Sequence, residues 1–412
     1  MKLDYLDFGL RWTLPGCVSG TSFFGSLRRA LLTLVCAGSL SAISFLAANK
    51  VNAQVTILHS FGDGTVANDG ASPASTLIQA PDGNFYGTTT AQVTKKSLGT
   101  IFQVTPTGVF SIIYRFLNQG SGQSLLYYKG SLIGVSIGAG AGKGRAGKVF
   151  ELTESAQGKW ALTIWHAFTG PVTGPGSDGN FPAAPLILGS NGLMYGTTEF
   201  GGKGGFGTIY QIDPATVAYS ILHNFANNLG PSNYPDTALF QAKDGKFYGG
   251  TQGEIPQTGG EIFKMTPAGK VTTFYTFPAG SYLVGPLIQG SDGNFYGCAG
   301  NTVFRMTSSG VVTVLHTFGQ GTDGKFPTGV IFGPNGNLYG TTEFGGTADQ
   351  GTVFEVATDA SSYTVLHNFA DGSVLSDGDD PNGLVLGVDN NLYGTTLLGG
   401  SAKLGTVFRI SP

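Results

Sequence analysis

The chain has 412 residues, of which 67 are glycine, 11% are charged and 12% are aromatic, with a formal net charge of −3. Disorder needs a scarcity of aromatic and β-branched residues that this sequence does not have, and nucleic-acid binding needs a strongly basic face that it also lacks. So much glycine beside so many aromatics predicts many short strands joined by tight turns, and at this length an all-β fold can still be one domain.

Arg28 and Arg29 precede an apolar stretch from Ala30 to Ala48, which gives way to Val51-Asn52-Ala53-Gln54. A charged, then apolar, then small-residue order predicts a signal peptide cleaved after Ala53. A retained anchor helix is the rival, disfavoured by the Ser, Gly and Thr that interrupt the run. Cys36 follows Val35 inside that run, where a lipoprotein signal would want a small residue. The chain therefore divides into residues 1–53, an N-terminal extension and signal peptide, and residues 54–412, a secreted or surface-exposed domain without a further membrane-length segment. With Cys17 and Cys36 in the targeting region, Cys298 stands alone and can make no internal disulfide.

The first strand, Val55–Phe61, ends in Leu58-His59-Ser60-Phe61. Beyond it a unit containing Gly83-Asn84-Phe85-Tyr86-Gly87-Thr88-Thr89 recurs, with its tyrosine position at Tyr86, Ile133, Tyr195, Tyr248, Tyr296, Tyr339 and Tyr393. The intervals are 47, 62, 53, 48, 43 and 54 residues, near the about 40–50 of a kelch-like or WD-like propeller blade. The sixth unit reads as strand a at Val330–Phe332, a turn at Pro334–Asn337, strand b at Leu338–Thr342, strand c at Thr352–Val356 and strand d at Tyr363–Phe369. Asp-Gly or Asn-Gly in the a–b turn supplies the positive φ that a short hairpin requires.

Strand d carries its own marker, with His59, His166, His223, His316 and His367 in one position and Arg115 and Tyr275 filling it in the other copies. The first d-type strand precedes any a-b-c unit, and the chain ends just after the seventh strand c, at Arg409-Ile410. Strands and units balance only if the N-terminal strand completes the last blade, which closes the ring and leaves no outer edge open. The expected fold is all-β, a single seven-bladed β-propeller of four-stranded blades closed in this way.

The pattern Leu-Tyr-Gly-Thr-Thr-x-x-Gly-Gly…Gly-Thr-Val-Phe at Leu338–Phe354 and Leu392–Phe408 resembles the GloVer repeat. That family joins tandem repeats to a choice of surface anchors, so the resemblance implies a secreted or surface-attached bacterial repeat protein, and it brings no catalytic residues with it. No hydrophobic anchor follows the seventh unit before Pro412, so attachment by that route is not expected.

Several residues invite a chemical reading. A seven-fold ring spaces the five histidines around its perimeter, so they are not expected to share a metal. Cys298 aligns with the first threonine of the Thr-Thr pair, where a packed thiol fits better than a nucleophile. Gly142–Lys148 has the spacing of a phosphate loop, but Val149 follows where Ser or Thr is needed and a strand replaces the helix, so no nucleotide is expected. The long b–c and d–a connections share one face. The d–a loops repeat Asp-Gly-x-x-Pro from Asp69, Asp178, Asp323 and Asp377, and Glu199 and Glu343 occupy matching b–c loops. These aspartates either cap their own turns or, with the glutamates, form a ligand or calcium site; no other cofactor is expected. Lys143, Arg145 and Lys148, with Lys95-Lys96, should make this face positive over blades one and two, and Asp371, Asp377, Asp379 and Asp380 should make it negative near blades six and seven.

The functional expectation is a monomeric, non-catalytic module that binds a glycan, a protein or another cell-surface component. The alternative is an extracellular enzyme like the propeller lactonases, with a metal in the channel. The starts of strand a, at Thr76-Leu77, Leu125, Pro185-Leu186, Ala238-Leu239, Pro286-Leu287, Gly329-Val330 and Gly383-Leu384, contain no acid or histidine, which weighs against it.

Overall fold

The computed structural model describes residues 53–412 except 74, 92–98, 117–121, 139–145, 171–176, 183, 226–232 and 255. All of the expected signal peptide except Ala53, and the basic residues Lys95, Lys96, Lys143 and Arg145, lie outside the described residues. No described helix is long and apolar enough to cross a membrane.

The described strands form seven antiparallel sheets. In blade six the strands run Lys325–Phe332, Leu338–Phe344, Thr352–Val356 and Tyr363–Asn368, in sheet order. Blades one and seven break their strand a into two pieces, Ala71–Pro73 with Ile78–Gln79 and Asp379–Pro381 with Val385–Leu386. The a–b turns work as their residues dictate. In blade one Asp82 accepts the Asn84 N–H at 3.0 Å and the Tyr86 hydroxyl at 2.7 Å, so one carboxylate ties the turn to strand b.

Strand b is buried on both sides because each sheet is covered by its two neighbours. Alternation then sends successive side chains to opposite neighbours rather than to core and solvent. In blade one Phe85 packs with Tyr393 and Val407 of blade seven, while Tyr86 packs with Leu125 and Phe150 of blade two. The glycine that follows has a steric cause. A Cβ on Gly87 would lie 2.4 Å from the Phe102 ring and 2.7 Å from Leu77, and one on Gly394 would lie 2.5 Å from the Phe408 ring. Strand b gives up a side chain so that the strand c aromatic can cross it.

Closure follows from the core. The buried apolar residues fall into seven clusters, and each joins one pair of successive blades. An open row of seven sheets has six interfaces; the seventh, of Phe61, Leu77, Phe85, Phe102, Val104, Tyr393 and Val407, joins blade seven to blade one. The clasp is formed as expected: Gln54–Ser60 pairs antiparallel with Thr406–Ser411, from Gln54↔Ser411 to Ser60↔Thr406. The architecture is a closed seven-bladed propeller.

Register corrects one assignment. Tyr114, not Arg115, pairs with Ile101 as His223 pairs with Ile209, so Tyr114 fills the histidine position of blade one. Arg115 instead donates from Nη2 to the Ala67 carbonyl at 2.8 Å.

Candidate binding site

The repeated aspartates of the d–a loops are engaged by their own blades. His59 donates from Nε2 to Asp69 Oδ2 at 2.8 Å, His166 to Asp178 at 3.0 Å, His316 to Asp323 at 3.1 Å and His367 to Asp377 at 2.7 Å. The other carboxylate oxygen takes backbone donors: Thr169 N–H on Asp178, Gly319 and Gln320 N–H on Asp323, Ala370 N–H on Asp377. Asp69 and Asp377 are each 1% exposed. The histidines in turn stack on the next blade, His166 on Tyr219 at 3.8 Å and His316 on Tyr363 at 3.7 Å. Each His–Asp pair therefore fastens the outer strand to the loop that leads into the next blade. Among the described residues no three His, Cys, Asp or Glu side chains are gathered to hold a metal ion.

The inner hydroxyls are also structural. Thr395 Oγ1 donates to the Ser75 carbonyl at 3.3 Å and Thr341 Oγ1 to the Asn382 carbonyl at 2.9 Å, each crossing to the next blade. Cys298 takes this place in blade five, fully buried, and burial pushes its thiol far up. It is not a poised nucleophile.

Two other sets of residues are free for chemistry. The first lies on the b–c/d–a face. In blade three Phe181 and Phe200 meet edge to face at 6.0 Å, and Tyr234 of the following loop meets Phe200 at 5.5 Å. Blade six repeats the arrangement with Phe326 and Phe344 at 6.2 Å and 87°. Here the rings are open, 52% and 39% exposed. Each pair has a glutamate next to it in sequence, Glu199 or Glu343, so the repeat builds two aromatic–carboxylate stations three blades apart. Phe181, Tyr234 and Phe326 each precede a proline at φ of 62°, 60° and 56°. A bulky residue in the left-handed region is strained by about 1–2 kcal/mol, which the loop's other bonds must hold. In the sequence Phe181 and Phe326 are only unspecified positions of Asp-Gly-x-x-Pro, and Tyr234 belongs to no copy of that motif.

The second set is the central channel. A cavity of about 430 Å³ is lined by the start of strand a in all seven blades, including Leu77, Ser124, Asp236, Pro286, Val330 and Leu384. Asp236 corrects the expectation of an acid-free channel. It follows Pro235 as Thr328 follows Pro327 and Asn382 follows Pro381, but blade four has one residue more, so Asp236 lies two steps before Ala238, taken as the strand start. Gln252 donates from Nε2 to its Oδ2 at 2.9 Å, while its Oδ1 is shielded from solvent and has no partner among the described residues. Burial, and then repulsion from Glu199, push its carboxyl up to about 7. The Ser124 hydroxyl in the same wall is also buried and has no partner among the described residues.

The remaining acids of this face reinforce one another. Burial raises Glu199 and Asp379, and burial together with Glu343 and Asp379 pushes Asp380 up to about 6. Tyr282 is raised by burial and by both Asp236 and Glu343, so one phenol senses acids of blades four and six. Of the acids expected on the negative side, Asp377 is spent on His367, while Asp379 and Asp380 lie together in strand a of blade seven. Of the basic side only Lys148 is described, at the start of strand c in blade two, where burial lowers its ammonium.

The family model of the Gloeobacter/Verrucomicrobia repeat matches residues 120–302 and 299–412. No curated protein matches the chain. Among solved structures, virginiamycin B lyase from Staphylococcus aureus is 14% identical, with a TM-score of 0.57 over 87% of this chain and 99% of that one. The extracellular domain of a hybrid two component system from B. thetaiotaomicron is 11% identical, with a TM-score of 0.56 over 86% of this chain and 39% of that one. At such identity the likeness is one of fold.

Proposed function

Since the chain belongs to the Gloeobacter/Verrucomicrobia repeat family, whose repeat spans blades two to seven, we propose that it is a secreted or surface-exposed binding module that takes a glycan on its b–c/d–a face. The carrying observation is the pair of aromatic–carboxylate stations, Phe181–Phe200 with Glu199 and Phe326–Phe344 with Glu343. An aromatic face stacks on the apolar face of a sugar ring, and a neighbouring carboxylate accepts its hydroxyl protons. The hypothesis of export rests on the Arg28-Arg29, apolar and Val51–Ala53 order. Mass spectrometry of secreted material should find Gln54 at the N-terminus; a mature chain beginning at Met1 contradicts it.

A glycan array probed with the full chain tests the binding role. Replacing Phe326 and Phe344 together by alanine should weaken the best hit at least about tenfold, since buried aromatic contacts carry ~1–3 kcal/mol each. Unchanged affinity in this variant and in the Phe181/Phe200 pair would remove the face from the account.

A second reading is favoured by Asp236. A channel carboxyl pushed up to about 7 is suited to general acid–base work, as a lactonase-like hydrolase or a lyase would need. Turnover of lactones that is lost in Asp236→Asn would favour this reading over the binding module.

A further inference from the structure

We infer that the central channel is a separate binding site for a small organic ammonium compound, whose charged end sits between Asp236 and Ser124 and whose hydrocarbon part lies along the apolar channel wall. The site does not depend on the glycan reading, because it uses none of the face aromatics.

Three observations carry it. The cavity of about 430 Å³ is within the range of about 300–1,000 Å³ found for small-molecule sites. Its wall is mostly apolar, with Leu77, Leu125, Pro286, Val330 and Leu384. Within that wall lie two buried oxygen atoms without partners among the described residues, Asp236 Oδ1 and Ser124 Oγ, and Ser124 is only 7% exposed. A buried acceptor left without a donor is costly, and a ligand N–H that reaches it recovers that cost.

Charge decides the class of donor. The groups whose fields act on Asp236 or join it to its neighbours are Glu199 and the phenol Tyr282, the latter also within reach of Glu343. Among the described residues its only side-chain donor is the neutral amide of Gln252, and no cationic side chain forms an ion pair with it. A site surrounded by acids and lacking a cation selects a positively charged donor over a hydroxyl. A divalent metal fits less well, since hard cations gather about six to eight oxygens and no described cluster of three ligating side chains exists.

The test is calorimetric titration of the full chain with cyclohexylamine, and with cyclohexanol as the neutral match. The amine stays protonated throughout, so the pH dependence reports the carboxyl. Cyclohexylamine should bind at least about tenfold tighter at about pH 8.5 than at about pH 5.5, because Asp236 is ionised only at the higher value. Cyclohexanol should bind much more weakly at both. Asp236→Asn should abolish the amine's binding, and Ser124→Ala should weaken it about threefold. Equal binding of the alcohol, the same amine affinity at both pH values, or binding that survives Asp236→Asn overturns the inference. So does absence of amine binding, and so does calcium that binds alone and is lost in Asp236→Asn, which assigns the carboxyl to a metal.

Discussion

Asp236 ties stability to pH in a direction opposite to most carboxylates. Its folded value, pushed up to about 7 from 3.8, means that the native state holds a proton the unfolded chain has released. Stability from this group is complete below about pH 4 and is lost as pH rises toward about 7. A rise from 3.8 to about 7 corresponds to at most about 4 kcal/mol. Asp236→Asn, which keeps an acceptor for Gln252, should therefore raise the melting temperature at about pH 8 and leave it nearly unchanged at about pH 4. The histidines act in the other sense: burial lowers His166 and His223 below 6.5. The unfolded chain then binds protons the native state refuses, and stability falls as the pH drops through about 6.5. The two effects oppose each other over the same range, and the Asp236→Asn variant isolates the first by removing it. A Tm that rises steadily from about pH 5 to about pH 9 in the wild type, and a variant that behaves identically, would contradict the assignment of Asp236.

At the scale of elements, the N-terminal strand has the largest leverage for its size. It covers the edge of Thr406–Ser411, buries Val55 and His59, and delivers Phe61, fully buried, to the interface with blade one. Deleting residues 54–62 within the full chain should cost at least about 4 kcal/mol, since one buried phenylalanine is worth about 3–5. Chemical denaturation measures this, and an unchanged midpoint would mean that the ring is held without the clasp. The blades themselves were legible in the sequence because a ring buries every strand b alike and therefore repeats its residues. Strand c of blade six has the expected bounds, Thr352–Val356. What escaped was out of phase with the repeat. Tyr114 is the exception: it is in phase, with Arg115 as the intervening residue of His-x-Phe, and was passed over for its more polar neighbour. Asp236 was missed because the channel wall in blade four begins three residues before Leu239, the leucine that marks strand a. Phe181 and Phe326 were passed over because a left-handed residue before proline is not a signal that periodicity carries.

For the whole molecule, the His–Asp fasteners and the closed ring make a frame, and the long-loop sets carry the two aromatic–carboxylate stations, with Asp236 in the channel wall. The opposite face carries short turns closed on their own aspartates, such as Asp82, Asp244, Asp292 and Asp389. Binding at the loop face should therefore be visible as local protection without a change of fold. Hydrogen exchange of the full chain, with and without the strongest glycan-array ligand, tests this most directly. Slowed exchange is predicted in the loops around Phe181–Phe200, Tyr234 and Phe326–Phe344, with no change in the turns around Asp82, Asp244, Asp292 and Asp389. Protection of those turns instead, with the aromatic loops unaffected, would contradict it.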